Sequence, residues 1–397
     1  MYLSEKYSSV SPSSTLAIDS KFKEMKARGE DVVGFGAGEP DFDTPKHIRD
    51  AAIKAINDGF TRYTPASGTV ELKQAVVDKF KRDNGLDYET ADIVISNGAK
   101  HSLVNALGAI LNPGDEVIIP TPCWVSYPEM VKINGGVPVL VKAEEKDNFI
   151  VTAQKIRDAV TDKTRAVIIN TPSNPTGMIY SSQELKDIAD LCVEKNIYVI
   201  SDEIYEHLIY GDKKHVSIAS FGEDIKNLTI VVNGVSKTYA MTGWRIGYTA
   251  SPRAIAKVMS NVQSHATSNP NSIAQKAALA ALTGPMDEAF AMREEFEKRR
   301  NYMVERINSI ENISCLMPDG AFYVMMNISK LIGKSYEGIK INGSDDFANL
   351  FLEKSKVAVV PCSGFDSDIH VRWSYATSME NIKEGLDRLE KFVSKIK

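Results

Sequence analysis

The feature that most constrains this chain is a set of apolar runs that do not alternate. Residues 165–170 (RAVIIN), 198–201 (YVIS) and 228–233 (LTIVVN) are continuous apolar stretches. A strand with one wet face alternates apolar and polar residues, so continuous runs suit strands buried on both faces, as in a parallel sheet covered by helices. Residues 93–96 and 116–120 read as two further strands, and helical patterns at 100–111, 182–195 and 253–263 lie between or after the runs. The first of these helices is stopped by Asn112-Pro113-Gly114. Strands alternating with helices in this way predict an α/β fold.

The texture changes near residue 285: a long charged helix runs towards 309, strands follow at 322–326, 357–361 and 371–375, and helices at 345–354 and 380–395. This reads as a second, smaller α+β domain. At 397 residues the chain also exceeds the roughly 250–300 at which one core stops growing. The expected division is a large α/β domain over 46–285 and a small domain made of 1–45 and 286–397, the first 45 residues being loop-rich.

Charge and composition remove several functions. Lys and Arg total 47 against 52 Asp and Glu, a net charge of −5. That balance argues against broad nucleic-acid or anionic-membrane binding. No stretch approaches the roughly 18 apolar residues of a membrane span, and the N-terminus lacks an apolar leader. Cys123, Cys192, Cys315 and Cys362 are far apart with no CxxC spacing, which disfavours a zinc site or a disulfide framework and fits a cytoplasmic protein. No metal is expected: the histidines form no HExxH pattern, and Glu203, Glu206 and His207 read as a helix face. The glycines at 34, 36 and 38 suggest a dinucleotide loop, but residues 39–45 (EPDFDTP) cannot open the helix that motif needs.

In open parallel sheets ligands bind beyond the carboxyl ends of the strands. After 93–96 comes Asn97-Gly98-Ala99-Lys100, opening a helix; after RAVIIN comes a segment containing Asn174; after YVIS comes Asp202; after LTIVVN come Ser236 and Lys237, with Arg245 eight residues beyond the lysine. Each has an ordinary alternative. Gly98 could simply close a turn, Asp202 could cap a helix or sit in an ion pair, Lys237 could be solvated, and Arg245 could form a surface salt bridge. Four strand ends offering a helix N-terminus, an amide, a carboxylate and an amine with a hydroxyl form a stronger signal than any one of them.

With Ser236-Lys237, Asp202 and 174–177 (NPTG) in this order, the chain resembles the class I pyridoxal-phosphate aminotransferases, in particular their prokaryotic aspartate aminotransferase-like group. The resemblance runs through GEPDFDTP (38–45), YTPASG (63–68), NGAKHSL (97–103), NPGDEV (112–117), WVSYPEM (124–130), SDEIYEHLIY (201–210), SKTYAMTGWRIGY (236–248), GAFYVM (320–325) and VRWSYAT (371–377). It implies a fold type I PLP-dependent transferase, with a mostly parallel sheet in the large domain. It also implies a homodimer with shared active sites.

The roles that follow are those the resemblance implies. Lys237 would form the Schiff base with pyridoxal 5′-phosphate and shuttle the proton. Asp202 would keep the pyridine nitrogen protonated, so that the ring is an electron sink. Asn174 and Tyr205 would hydrogen-bond the ring hydroxyl, and Trp124 would stack on the ring. Gly98, Ala99, Ser236 and Arg245 would hold the phosphate, with Tyr63 reaching in from a second subunit. Arg372 would grip the substrate α-carboxylate as a bidentate fork, and the Gly38 backbone would line the same pocket. Cys123 stands where relatives often carry an aromatic residue.

The expected activity moves the amino group of L-aspartate to 2-oxoglutarate in a ping-pong cycle. Lys100 is the candidate for the distal carboxylate, since a cation is disfavoured at a helix N-terminus unless it is used; it could instead be a solvated lysine. Ser14 or Thr15 could add a hydroxyl. The alternatives are alanine, aromatic or prephenate aminotransferase, or a PLP-dependent C–S β-lyase. A PLP-sensing transcription regulator would need a helix-turn-helix module ahead of GEPDF, which begins at Gly38.

Overall fold

The computed structural model describes residues 2–11 and 14–397. Its centre is a seven-stranded sheet in the order Ile93–Ser96, Gly247–Ala250, Thr229–Gly234, Tyr198–Asp202, Thr164–Asn170, Glu116–Thr121, Val137–Lys142. The strands are parallel except Gly247–Ala250, which runs antiparallel to both neighbours. The continuous apolar runs supply the middle of this sheet, where both faces are covered. On one face Val167, Ile169 and Val199 pack against Leu185, Ile188 and Cys192 of helix Ser182–Lys195. On the other, Val94, Val117, Ile200 and Ile230 pack against Leu103, Ala106 and Leu107 of helix Ala99–Ile110. Each such aliphatic side chain contributes about 1.5–3 kcal/mol on burial. Helix Ser182–Lys195 is bounded by its own residues: Ser181 and Glu184 form a capping box, and Asn196 closes it in left-handed conformation at φ 54°.

A second, four-stranded antiparallel sheet has the order Val360–Pro361, His370–Ser374, Tyr323–Asn327, Ser314–Cys315. Its core joins Phe296 of helix Asp287–Ser309, Phe347 and Phe351 of Ser344–Ser355, and Phe392 of Met379–Val393 with Phe322 and Trp373. Ile204, Tyr205 and Leu208, which follow the central strand Tyr198–Asp202, belong to this same core. The N-terminal region packs here as well: Val33–Gly34 pairs in parallel with Val357–Ala358, and Ile18 and Met25 meet Leu352 and Ala358.

Three local expectations are corrected. The strand expected over 357–361 is two short strands in different sheets, broken at Val359. Glu203, Glu206 and His207 lie in a turn, not on a helix. The N-terminal region, read as loop-rich, contains helix Ser14–Ala27. Among the described residues no helix is long and apolar enough to cross a membrane. All four cysteines are buried and unpaired.

Candidate active site

The sheet register lays the polar residues along one edge. Ser96 pairs with Gly247, which pairs with Gly234; Asn170 pairs with Asp202. Beyond that edge lies a cavity of about 600 Å³, reached also by Tyr323 and Arg372 of the second sheet. Of the residues singled out in the sequence, Gly38, Ala99, Lys100, Trp124, Asn174, Asp202, Tyr205, Ser236, Lys237, Arg245 and Arg372 line it. Gly98 stands directly behind the Arg245 guanidinium. Tyr63 is not brought to the cavity and is 91% exposed. The side chains of Ser14 and Thr15 lie outside the described residues.

Asp202 ends its strand as a buried carboxylate. Tyr127 Oη donates to Oδ2 at 2.7 Å, and the Ile204 amide donates weakly to Oδ1 at 3.3 Å. Burial lifts its pKa to about 6, against the pull of these hydrogen bonds and of the Lys237 charge. Two donors do not saturate a buried carboxylate, so the group is suited to a further cationic partner.

Lys237 follows its strand by three residues. Its Nζ donates to the Gly38 carbonyl at 2.5 Å and lies 5.9 and 5.7 Å from the ring centres of Tyr205 and Phe322. Burial brings its pKa down to about 8; Arg372 and Arg245 also lower it, while Glu39 and Asp202 raise it. An amine near neutrality is in the range for proton transfer at physiological pH.

Gly98 has φ 84° and precedes helix Ala99–Ile110, whose first amides have no intrahelical partner. A Cβ at Gly98 would fall 2.3 Å from Arg245 Nη2, so the close approach of the guanidinium requires glycine. Arg245, itself at φ 57°, is steered by Nη1 donating to the Thr242 carbonyl at 2.9 Å and Nη2 to the Asn97 carbonyl at 3.3 Å. A helix N-terminus, a guanidinium and the Ser236 hydroxyl together make an anion site.

Arg372 is 3% exposed on strand His370–Ser374. Nη1 donates to Asn174 Oδ1 at 2.9 Å and Nη2 to the Gly36 carbonyl at 3.1 Å, while Nε is buried without a partner. Its guanidinium stacks 4.3 Å from the Tyr323 ring centre. Asn174 is held in turn by its amide donating to Asn170 Oδ1 at 2.8 Å, and Asn170 Nδ2 donates to the Asp202 carbonyl at 2.9 Å. The hydroxyls of Tyr205 and Tyr323 lie 3.1 Å apart. Lys100 Nζ sits 4.8 Å from the Trp124 ring centre; partial burial, then the charge of Arg245, lower its pKa.

Sequence reasoning passed over Tyr127, Asn170 and Tyr323. Tyr127 had a usable signal, being three residues beyond Trp124 and so on the same side of a helical turn. Tyr323 stands in the GAFYVM segment without a partner that sequence could name. Glu203, Glu206 and His207 take no part in the cavity. Glu206 is ion-paired with buried Lys79 and accepts from Asn233 Nδ2 at 2.8 Å; Glu203 accepts from Ser201, Ser217 and His215.

The residues present fit pyridoxal 5′-phosphate. The glycine-backed anion site suits its phosphate, the under-saturated Asp202 carboxylate suits a protonated ring nitrogen, and the amine of Lys237 suits its aldehyde. The Arg372 guanidinium, which lines the cavity, suits a substrate carboxylate.

Comparison with known proteins agrees with this geometry. The profile of the family "Aminotransferase class I and II" matches residues 30–389. The chain is 49% identical over 393 residues to the aspartate aminotransferase of Geobacillus stearothermophilus, covering 99% of each. It is 45% identical over 397 residues to the aspartate/prephenate aminotransferase of Nitrosomonas europaea, covering 99% of this chain and 100% of that one. The crystal structure of the aspartate aminotransferase from Rhizobium meliloti superposes with a TM-score of 0.97 at 43% identity, covering 100% of both chains. That of Thermus thermophilus with maleate does so at 0.92 and 40% identity, covering 99% of this chain and 100% of that one.

Proposed function

We propose the following activity for this chain, which belongs to the class I and II aminotransferases, enzymes that use pyridoxal 5′-phosphate: it moves the amino group of L-aspartate to 2-oxoglutarate, giving oxaloacetate and L-glutamate. The observation that carries the substrate class is the placing of two cations, buried Arg372 and rim-standing Lys100, on one cavity. A dicarboxylic amino acid needs one for each end.

When bound, the cofactor supplies an electron sink for the pair released at the substrate Cα. Arg372 presents its guanidinium to the α-carboxylate and holds the substrate in one orientation. Lys237 Nζ, with a pKa brought to about 8, takes the proton from the substrate Cα and returns it. Asp202, kept ionised above about pH 6, holds the proton on the ring nitrogen. Tyr127 fixes which way that carboxylate points. Asn174 and Tyr205 would hydrogen-bond the ring hydroxyl, Trp124 would cover the ring, and Gly98, Ala99, Ser236 and Arg245 would hold the phosphate. Gly38 closes the cavity wall beside the substrate. Lys100 receives the distal carboxylate. Maleate, bound in the Thermus neighbour, is itself a dicarboxylate, which supports this reading.

The active form is proposed to be a homodimer in which Tyr63, highly exposed here, completes the phosphate site of the partner subunit. The proposed division into 46–285 and 1–45 with 286–397 is supported by the packing of Ile18 and Met25 on the second sheet's side of the molecule. Four buried thiols support a cytoplasmic location. Prephenate is the second acceptor to consider, because relatives carry the aspartate/prephenate name.

A donor-by-acceptor panel on the purified holoenzyme tests the activity. Aspartate with 2-oxoglutarate should give the highest kcat/KM. Preference for alanine or aromatic donors would overturn the assignment, as would pyruvate release from cystathionine without an oxo-acid acceptor.

A further inference from the structure

Lys237 and Arg245 are carried by the two ends of one short loop. Two non-glycine residues in it, Ala240 at φ 50° and Arg245 at φ 57°, have left-handed backbone. A Cβ is crowded in that conformation, and such turns persist where surrounding contacts over-determine them. Inside the loop the Met241 amide donates to the Ser236 carbonyl at 3.0 Å and the Trp244 amide to the Met241 carbonyl at 3.3 Å. Neither bond engages Ala240.

The restraint on Ala240 comes from 196 residues away. Thr44, buried at 8% exposure, donates its hydroxyl proton to the Ala240 carbonyl at 2.7 Å, and the same Oγ1 accepts from Trp244 Nε1 at 3.0 Å. One hydroxyl thus spends its single proton on the left-handed residue and a lone pair on the indole four positions later. Beside it Thr242 Oγ1 donates to Glu39 Oε2 at 2.7 Å, so the segment before helix Lys46–Asn57 is docked on the loop at two points. Thr44 itself does not line the cavity.

We propose that Thr44 is a positioning residue: by clamping Ala240 and Trp244 it sets the loop so that the Lys237 amine and the Arg245 guanidinium meet the same bound molecule. This rests on the cofactor chemistry proposed above. Valine at this position would keep the branched shape and leave the Ala240 carbonyl and Trp244 N–H without their partner. Serine would keep the hydroxyl.

The test compares Thr44→Val and Thr44→Ser with the wild type in two readouts other than turnover. One is the dissociation constant of pyridoxal 5′-phosphate from the apoenzyme. The other is the pH midpoint of the absorbance of the lysine–cofactor linkage. The valine variant, which loses both hydrogen bonds made by the Thr44 hydroxyl, should bind about tenfold more weakly or worse, and its midpoint should move. Serine should restore both, and adding Ala240→Gly to the valine variant should recover part of the loss by relieving the crowded turn. A valine variant with wild-type affinity and midpoint overturns the proposal, even if it melts at lower temperature. If that variant does not fold, Trp244→Phe, which keeps an aromatic ring and removes the donor, is measured the same way, and an unchanged affinity overturns it equally. A wild type that binds no cofactor refutes the proposed function instead. The loop contact is then decided by proteolysis of the apo chain within 238–244, which should be faster in the valine variant; equal rates overturn it.

Discussion

Replacing Asp202 by asparagine should stabilise the ligand-free protein at neutral pH while weakening it as an enzyme. The carboxyl is 3% exposed, and burial moves its pKa from 3.8 to about 6, the hydrogen bonds from Tyr127 and Ile204 offsetting part of the shift. A folded pKa above the unfolded one means that the folded state holds the proton more tightly. Stability from this group is therefore fully present below about pH 4 and falls as pH rises to about 6. At 1.36 kcal/mol per pK unit the neutral-pH penalty is about 3 kcal/mol. Asparagine keeps the shape, still accepts from Tyr127 through Oδ1, gives up only the weak 3.3 Å bond from the Ile204 amide, and carries no charge. With about 2.1 cal/mol/K of unfolding entropy per residue, 3 kcal/mol in a chain of 397 residues is about 3–4 °C in Tm. Calorimetry of the apo proteins from pH 4.5 to 8 should show the variant gaining on the wild type as pH rises. Saturating pyridoxal 5′-phosphate should reverse the order at pH 7.5, because the wild-type carboxylate then acquires its cationic partner. An apo variant less stable than wild type at pH 7.5, or a gap that ignores pH, would refute the reasoning that this charge is held under-compensated for a ligand.

Four further outcomes are expected. Lys237→Ala should still bind pyridoxal 5′-phosphate but give no borohydride-fixed peptide, and a labelled peptide centred on another lysine would reassign the role. Mixing Tyr63→Ala with Lys237→Ala chains should recover activity through heterodimers that retain one intact site; a fully active monodisperse monomer in sedimentation would exclude sharing. Gly98→Ala, whose Cβ would meet Arg245 Nη2 at 2.3 Å, should raise the cofactor dissociation constant at least about tenfold, as measured by apoenzyme titration. Lys100→Ser should lower kcat/KM for aspartate and glutamate by about 1.5–3 kcal/mol, with alanine barely affected; an equal loss for all donors would make the lysine structural.

What could be read in the sequence is what chain continuity dictates. Asp202, Asn174 and Lys237 stand just beyond apolar runs, and the rule that ligands sit at strand ends locates them without any tertiary knowledge. Strand Gly247–Ala250 escaped because it is four residues of small or mixed character, GYTA, and runs against its neighbours. The partners that tune the site escaped for a different reason. Tyr127 is 75 residues from Asp202, and Arg372 is 198 from Asn174. The first pair is set by how helix Ser126–Ile133 packs against the central sheet and the second by how the second sheet meets the first, and no local period records either. Thr44 is the extreme case: in sequence it is an unremarked threonine before a proline.

The charges around the cavity dictate how a ligand must lie in it. Lys23, Lys100, Lys237, Arg245 and Arg372 face Asp202 and Glu39 there, so the cavity is locally positive although the chain carries −5 overall. With screening over about 8 Å at physiological salt, the local charges and not the net charge govern a bound ion. Asp202 is as deeply buried as Arg372, and it sits at one end of the arrangement. Gly98 and Ala99 follow the strand Ile93–Ser96, three ladder steps across the sheet from the strand that ends in Asp202. At about 4.8 Å per step these strand ends are about 14 Å apart, a span that side chains at both ends shorten to the length of a small phosphorylated ring. An anion is favoured at the glycine end by the helix N-terminus and Arg245, and is repelled at the other by a carboxylate that has two weakly sufficient donors. A ligand that is anionic at one end and cationic at the other therefore has one favourable direction. The amine of Lys237 follows a strand that stands between those two, so under the proposed function a ligand oriented by these charges would bring its reacting carbon to that amine.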